Sequence, residues 1–338
     1  MTDHPAATHP AAARARTALA AGAVAAGLLF AGAAPAAAQS WDMPTPYPEG
    51  NFHTQNILQF ADDVAAATDG GLEITVHSAG SLIPHPEIKN AVRSQQVPIG
   101  EFLLSRLSNE DPVFEADAVP FLADSYSDAE ALWAASRDQV GELLARENLM
   151  VLYAVPWPPQ GLYANQEIAS VEDMAGLRFR TYNAATERLA QLAGAVPTQV
   201  EVPDIPQAFA TGRVEAMITS ASTGVNSKAW DFLSHYYDTQ AFLPKNIVVV
   251  NQRAFDALDE ATQQAVLDAA AAAETRGWES SMAEAEAQTQ ALADNGITVS
   301  EPSDALAEGL AEIGATMTEE WAERAGDAGQ AILDAYNP

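Results

Sequence analysis

Cysteine is absent from the chain, and lysine occurs only three times in 338 residues, as Lys89, Lys228 and Lys245. The absence of cysteine excludes a thiol nucleophile and any disulfide framework, so an apolar core must hold the fold together. With 48% hydrophobic residues the chain is long enough for two cores, since a single core stops growing at about 250 to 300 residues. We therefore expect two ordinary domains.

Positive charge is also scarce. The sequence has 16 lysines and arginines against 46 aspartates and glutamates, which gives a formal net charge of −30. A molecule this acidic repels phosphate backbones and anionic lipid surfaces, so we expect no nucleic-acid partner. Two arginines within one short segment, Arg178 and Arg180, therefore stand out and indicate that an anion is held there.

The motifs of common enzymes are missing too. The sequence contains no G-x-S-x-G, no H-E-x-x-H, no Walker loop and no G-x-G-x-x-G after a strand. Its histidines show no metal-ligand spacing, so we predict no metal ion, no cofactor and no catalytic residue. One enzymatic alternative stays open, a periplasmic lyase or hydrolase that uses Glu215 or Asp204 as its base.

Long apolar runs are confined to the first 38 residues. Arg14 and Arg16 precede a small-residue apolar run over residues 17–34, and the alanines at 36–38 fit the A-x-A rule. We predict a secretory signal of the Sec type, cleaved after Ala38, and hence a periplasmic protein. A membrane anchor is disfavoured because the run is mostly Ala and Gly. No later segment approaches about 18 uninterrupted apolar residues, which predicts no membrane insertion after cleavage.

Apolar periodicity predicts alternating helices and strands up to residue 156. The period-two run LEITVH at residues 72–77 indicates a half-buried strand. The other predicted elements of this stretch are helices at 54–67, 84–94 and 128–147 and strands at 97–103 and 150–155. The sequence WPPQG at 157–161 breaks the pattern, and we expect the chain to cross there into a second lobe.

The same alternation resumes after the break. The predicted strands are 177–181, 214–219 and 247–250, and the predicted helices include 183–193 and 259–295. The last helix contains no proline and would be about 50 Å long at 1.5 Å per residue, enough to span two lobes. We predict an α/β fold in which lobe I holds residues 39–156 plus about 245–285, and lobe II holds residues 157–244 plus about 286–338.

Arg180 is the candidate for binding an anion. A guanidinium presents a rigid fork of N–H donors that matches the two oxygens of a carboxylate, and it stays charged at any working pH. Arg178 lies two residues earlier on the same predicted strand, so alternation places both side chains on one face. The residues alone do not choose between the two arginines, and a surface ion pair explains either of them.

Four further residues near the predicted lobe crossings are candidates for the same pocket. Trp157 and Tyr163 flank the proline turn, where aromatic rings either close over an apolar or ring-bearing acid or pack as part of a hinge. Lys245 and Asn246 precede the returning strand, where they supply polar contacts to a ligand. The alternative for Lys245 is a solvated loop.

Three motifs carry a resemblance to a known family. They are GLRFR at residues 176–180, GAVPT at 194–198 and TGRVE at 211–215, in this order and spacing. The segment resembles the TRAP-type periplasmic solute-binding receptors of the DctP-like family, and the resemblance spans nearly the whole chain after the signal. It implies a two-lobed periplasmic-binding-protein fold with a long lobe-spanning helix. It also implies an interdomain cleft that captures a small organic acid by hinge closure, and membrane permease subunits as partners.

The resemblance also adds site residues. The family's strand arginine that pairs with the ligand carboxylate matches Arg180. Gln160 stands where sialic-acid-type members carry a second arginine, so we expect the second positive charge to be missing. Thr219 stands where many members place asparagine or tryptophan, and both departures speak against sialic acid and dicarboxylates. A receptor that serves an ATP-driven importer has the same cleft and remains an alternative.

Overall fold

The computed structural model describes residues 39–336, in which strands and helices alternate. The predicted signal segment and its cleavage after Ala38 lie outside the described residues. The strands are β1 (Gln39–Pro44), β2 (Leu72–His77), β3 (Ile99–Leu103), β4 (Leu149–Pro156), β5 (Gln160–Ala164), β6 (Arg178–Thr181), β7 (Val196–Gln199), β8 (Ala216–Ser220), β9 (His235–Tyr237), β10 (Lys245–Asn251) and β11 (Thr298–Ser300). The α-helices are α1 (Phe52–Ala67), α2 (Ile88–Arg93), α3 (Tyr126–Ala145), α4 (Ala184–Leu192), α5 (Ile205–Ala210), α6 (Ala221–Asn226), α7 (Gln252–Asp256), α8 (Glu260–Asp294) and α9 (Asp304–Tyr336).

The predicted elements are confirmed within a few residues at each end. The predicted helix at 54–67 begins two residues earlier, because the Asn51 side chain accepts a hydrogen bond from the His53 N–H at 3.0 Å and caps it there. Asn183 caps α4 in the same way through the Thr186 N–H at 2.8 Å. The predicted helix at 84–94 is the exception, since its first turn is a separate 3₁₀ segment, His85–Glu87.

The strands form three sheets. Strands β1 and β2 pair in parallel, and β10 lies between β3 and β4, antiparallel to both. The third sheet has six strands in the order β11-β9-β5-β8-β6-β7. Strands β6, β7 and β8 run parallel to one another, so their carboxyl ends meet at the same edge of this sheet. Open α/β sheets bind ligands at such an edge.

Helix α8 is the longest continuous helix of the described chain. Its 35 residues extend for about 52 Å at 1.5 Å per residue. The Asp259 side chain caps its start by accepting from the Thr262 N–H at 3.0 Å. The helix packs against α1, against β4 of the three-stranded sheet, and against α6, which follows β8 of the six-stranded sheet. A side chain at Gly277 would come within 2.3 Å of Val155, so glycine is needed where the helix crosses β4.

Helix α9 closes the described chain and is broken at Gly326, whose φ of 55° lies in the left-handed region. It packs against α3 and α4, and its own Trp321 side chain is fully buried. Within residues 39–336, every helix falls short of the combined length and hydropathy that a bilayer-crossing helix requires.

Candidate functional site

One cavity, with about 390 Å³ of empty volume, lies at the carboxyl-end edge of β6, β7 and β8. The opposite wall comes from the loop after β1 and from a 3₁₀ turn, Leu104–Leu107, that follows β3. Residues of the three-stranded and six-stranded regions therefore face each other across it. The lining residues are Tyr47, His85, Leu103, Arg106, Trp157, Gln160, Arg180, Tyr182, Glu201, Val202, Thr219, Thr223 and Pro244.

Arg180 brings a buried positive charge to this cavity. The residue is 2% exposed, and its Nε donates to the Val200 carbonyl at 3.0 Å. Within residues 39–336, no carboxylate oxygen lies within 4.0 Å of its guanidinium nitrogens. Burial lowers the pKa of Arg180 to about 10, so the group is still cationic at neutral pH. A buried cation without a counterion is costly, and an anionic ligand would remove that cost.

The position along β6 separates Arg180 from Arg178. Arg178 begins the strand, its side chain is 49% exposed, and its Nη2 lies 2.7 Å from the Glu215 carboxylate. Arg180 lies two residues nearer the carboxyl end, where the strand reaches the cavity. The surface ion pair that the sequence allowed for either residue is thus found only at Arg178, and strand alternation could not show this because the two side chains share a face.

Tyr182 and Gln160 hold the Arg180 side chain in place. The guanidinium carbon lies 4.6 Å from the centroid of the Tyr182 ring, within the range of a cation–π contact. The Tyr182 hydroxyl donates to Gln160 Oε1 at 3.2 Å, and Gln160 Nε2 donates to the Pro158 carbonyl at 2.7 Å. Burial raises the pKa of Tyr182, so its hydroxyl remains a donor. Gln160 therefore acts on the cavity partly through Tyr182.

A second arginine, Arg106, reaches the same cavity from the 3₁₀ turn after β3. Its Nη1 lies 3.0 Å from Glu201 Oε1 and donates to the Tyr182 carbonyl at 3.0 Å. His85 Nδ1 lies 3.6 Å from Glu201 Oε2, while His85 Nε2 accepts from the Leu103 N–H at 3.2 Å. The second positive charge, expected to be missing because Gln160 replaces a family arginine, is therefore supplied by another element and is paired with Glu201.

The charges of this cluster follow from its surroundings. Burial opposes ionisation of Glu201, but the hydrogen bond from His85 and the charges of Arg106 and Arg180 hold its pKa at about 2. Burial lowers the pKa of His85 below its usual value. At neutral pH the cluster therefore contains two guanidinium cations, one carboxylate and a neutral imidazole.

Asn246 lies behind the aromatic wall of the cavity, which is formed by Tyr47 and Trp157, and bonds to both residues. Its Oδ1 accepts from the Tyr47 hydroxyl at 3.0 Å and from Trp157 Nε1 at 3.0 Å, and both of these rings line the cavity. Its Nδ2 donates to Glu101 Oε1 at 2.9 Å, and the other oxygen of Glu101 accepts from the Thr45 hydroxyl at 2.6 Å. The buried carboxylate fixes which way the amide points, and the amide in turn positions both rings.

The structure brings together some of the predicted site residues and separates others. Trp157, Gln160, Arg180 and Thr219 line the cavity, and Asn246 stands directly behind two of its rings. Lys245 and Tyr163 do not line it. Arg180 and Thr219 lie near the carboxyl ends of β6 and β8, as a ligand site at that edge requires.

Lys245 and Tyr163 have structural environments of their own. Lys245 begins β10, is 1% exposed and places Nζ 3.9 Å from Asp117 Oδ2, so the solvated loop considered from the sequence is wrong. Tyr163 packs on the Tyr236 ring at a centroid distance of 4.6 Å and donates from its hydroxyl to the Ser220 carbonyl at 3.1 Å. Both side chains are enclosed by the protein.

Nine of the thirteen lining residues were not predicted from the sequence, and five of these nine carry an aromatic ring or a charge, namely Tyr47, His85, Arg106, Tyr182 and Glu201. Arg106, Tyr182 and Glu201 each follow closely on the end of a strand, and that position is the signal by which they were predictable. Tyr47 lies in the loop after β1 and His85 begins a short 3₁₀ segment, and neither stretch has a distinctive sequence pattern. Within residues 39–336, no group of three His, Asp or Glu side chains is gathered closely enough to ligate a metal ion.

Comparison with known proteins identifies the family. Residues 45–325 match the DctP family model, described as bacterial extracellular solute-binding protein, family 7. The chain belongs to this family. The receptor is 24% identical over 283 residues to a solute-binding protein of Chromohalobacter salexigens, an alignment that covers 80% of this chain and 81% of that one.

Two solved structures are much more similar to the receptor. The Bordetella pertussis extracytoplasmic solute receptor DctP7, which binds pyroglutamic acid, is 48% identical with a TM-score of 0.88, over 89% of this chain and 100% of that one. A marine metagenome TRAP solute-binding protein, in complex with co-purified pyroglutamate, is 43% identical with a TM-score of 0.87, over 89% and 99%. The receptor thus has the two-lobed α/β fold of TRAP periplasmic solute receptors, including the long helix expected from the sequence.

Proposed function

We propose that this receptor captures pyroglutamate, a five-membered lactam with one carboxylate, and that Arg180 binds the carboxylate. The observation that carries the proposal is the buried guanidinium, which faces a cavity and has no acidic partner among residues 39–336. A bidentate pair with a carboxylate is the interaction that such a group makes best. Two similar receptors, at 48% and 43% identity, bind the same compound.

The walls of the cavity support a small ring-bearing acid. Tyr47, Trp157 and Tyr182 supply aromatic surface for the flat lactam ring, and Thr219 and Gln160 supply polar groups beside it. A highly hydroxylated sugar acid would need more polar partners than this lining offers.

Capture proceeds by closure of two lobes. The proposed crossings between the lobes lie where the chain leaves the three-stranded sheet at Pro156, enters the six-stranded sheet at Gln160 and returns to the three-stranded sheet at Lys245. Hydrogen bonds then join the two sides of the cleft, from Arg106 to the Tyr182 carbonyl at 3.0 Å and from Asn183 Nδ2 to Ser105 Oγ at 2.8 Å. A ligand favours the closed state only by binding it more tightly than the open one.

We also propose how the receptor is exported, how it delivers its ligand, and that it catalyses no reaction. The chain is exported by a Sec-type signal cleaved after Ala38, and the closed receptor delivers its ligand to the membrane permease subunits of a TRAP transporter. It performs no reaction, as its relatives are solute receptors. Pyroglutamate recovered unchanged from the complex after long incubation supports a receptor, whereas a new product identifies the lyase or hydrolase instead.

Titration calorimetry on the purified receptor tests the ligand, after unfolding and refolding to remove any bound compound. Pyroglutamate should bind with one-to-one stoichiometry. The matched compound 2-pyrrolidinone has the same lactam ring without the carboxylate, and it should give no measurable binding because the Arg180 contact is lost. Binding of both compounds with equal affinity, or of neither, would reject the proposal.

A further inference from the structure

Positively charged side chains outnumber negatively charged ones in the lining of the cavity. Among the described lining residues, two are cations, Arg106 and Arg180, and one is an anion, Glu201. The net charge of the lining is therefore one positive unit, since the imidazole of His85 is neutral at pH 7. One negative charge on a ligand is enough to balance it.

The pairing within the cavity decides which cation meets the ligand. Arg106 Nη1 lies 3.0 Å from one oxygen of Glu201 and 3.3 Å from the other, so this arginine is already matched. Arg180 has no carboxylate within 4.0 Å among residues 39–336. The side chain of Glu201 is 28% exposed and that of Arg106 is 12% exposed, so water screens this pair only in part.

We infer that Glu201 makes the site selective for monocarboxylates, by occupying Arg106 and leaving Arg180 as the single guanidinium open to an acid. This inference rests on the proposed function and adds a specificity-determining residue to it. A second carboxylate on a ligand would meet Glu201 instead of a free cation. Like charges repel when they are brought together in a partly dehydrated site, and this repulsion lowers the affinity for a dicarboxylate.

The same geometry predicts what removing the charge would do. In E201Q the amide is neutral and nearly the same shape, so Arg106 becomes a second unmatched cation at the cavity. A dicarboxylate can then place one acid group on each arginine. A monocarboxylate gains less, because it has only one charge to place. The ratio of the two affinities, more than either affinity alone, reports the effect of Glu201.

The experiment measures dissociation constants by calorimetry for pyroglutamate and for glutarate, a dicarboxylate with the same number of carbons, at pH 8 and constant ionic strength. Wild type should prefer pyroglutamate. E201Q should lower the ratio of the glutarate constant to the pyroglutamate constant by about tenfold or more, the scale of one close charge contact. The double variant E201Q/R106Q should return the ratio toward wild type, because the uncovered cation has been removed.

E215Q is the matched control. Glu215 is also bound to an arginine, with 2.7 Å to Arg178 Nη2, and its side chain is 32% exposed, but it does not line the cavity. The ratio of the glutarate constant to the pyroglutamate constant in E215Q should equal that of wild type. A ratio unchanged in E201Q, or lowered equally in E215Q, would overturn the role of Glu201 while leaving the pyroglutamate proposal intact. A wild-type receptor that prefers glutarate would overturn both.

Discussion

The Arg180 guanidinium carbon lies over the Tyr182 ring, 4.6 Å from its centroid, which places the cation on an aromatic face at the edge of the cavity. Tyr182 is thus both a wall of the site and a support for its principal charge. Its hydroxyl is tied to Gln160 Oε1 at 3.2 Å. The arrangement separates two contributions of one residue, the ring and the hydroxyl, which substitution can test one at a time.

The Tyr182 ring should matter more to binding than the Tyr182 hydroxyl. We expect Y182L to weaken pyroglutamate binding by about tenfold, because it removes the cation–π contact and the ring surface together. Y182F keeps the ring and should weaken binding by less than about threefold. Calorimetry on both variants checks this order, and a larger loss in Y182F than in Y182L would contradict it.

Asn246 should be essential for the stability of the aromatic wall. N246A leaves Tyr47, Trp157 and the buried Glu101 carboxylate without their shared partner. We expect the free energy of unfolding in urea to fall by about 2 to 4 kcal/mol, since buried polar groups are left unsatisfied. Asn226 offers a control, because it accepts from Asn51 at 3.1 Å while itself exposed. N226A should cost less than about 1 kcal/mol, and an equal loss in the two variants would refute the account.

Glu101 makes the stability of the receptor depend on pH. Burial raises its pKa to about 7, although hydrogen bonds from Thr45 and Asn246 oppose the rise. Since the folded pKa lies above that of the unfolded chain, the stabilisation is present at low pH and is lost as the pH rises toward 7 and beyond. Asp117, whose pKa burial raises to about 6 against the charge of Lys245, acts in the same direction.

Replacement of Glu101 should therefore flatten this pH dependence. We expect the free energy of unfolding of wild type to fall between pH 5 and pH 8, and E101Q to remove about 1 to 3 kcal/mol of that fall. Some dependence should remain because Asp117 still titrates. Urea denaturation of both proteins at pH 5 and pH 8 measures this fall in the free energy of unfolding. Parallel pH profiles for wild type and E101Q would show that Glu101 does not titrate as its burial requires.

Tyr163 should affect stability without affecting binding. Its hydroxyl donates to the Ser220 carbonyl and its ring packs on Tyr236, and neither contact faces the cavity. Y163F should lower the free energy of unfolding by about 1 kcal/mol, the net worth of one hydrogen bond. Its dissociation constant for pyroglutamate should stay within about twofold of wild type. A tenfold weaker affinity would return Tyr163 to the site.

The order of strands and helices could be predicted from the sequence because period and capping residues are local signals. The LEITVH strand and the long helix capped by Asp259 are found where the pattern places them. Periodicity did not choose Arg180 over Arg178, because one strand carries both; the family resemblance made that choice, and the fold adds the physical reason, which is that Arg180 lies nearer the sheet edge.

Much of the candidate site was beyond sequence reasoning for the same reason. Arg106 and Glu201 lie 95 residues apart and meet only because the two sheets face each other. The burial of Lys245 likewise depends on Asp117, more than a hundred residues earlier in the chain. Such long-range contacts produce no periodic pattern in the sequence. A lysine just before a predicted strand is by itself more typical of a solvated loop.

The most direct measurement compares pyroglutamate binding by R180Q and R178Q in calorimetry. The two arginines share a strand, but Arg178 is 49% exposed and paired with Glu215, whereas Arg180 is buried at the cavity. Loss of a buried charged contact predicts that R180Q binds at least about a hundredfold more weakly. R178Q should bind within about twofold of wild type. Equal affinities in R180Q and wild type, with both proteins folded, would contradict the central claim that Arg180 holds the ligand.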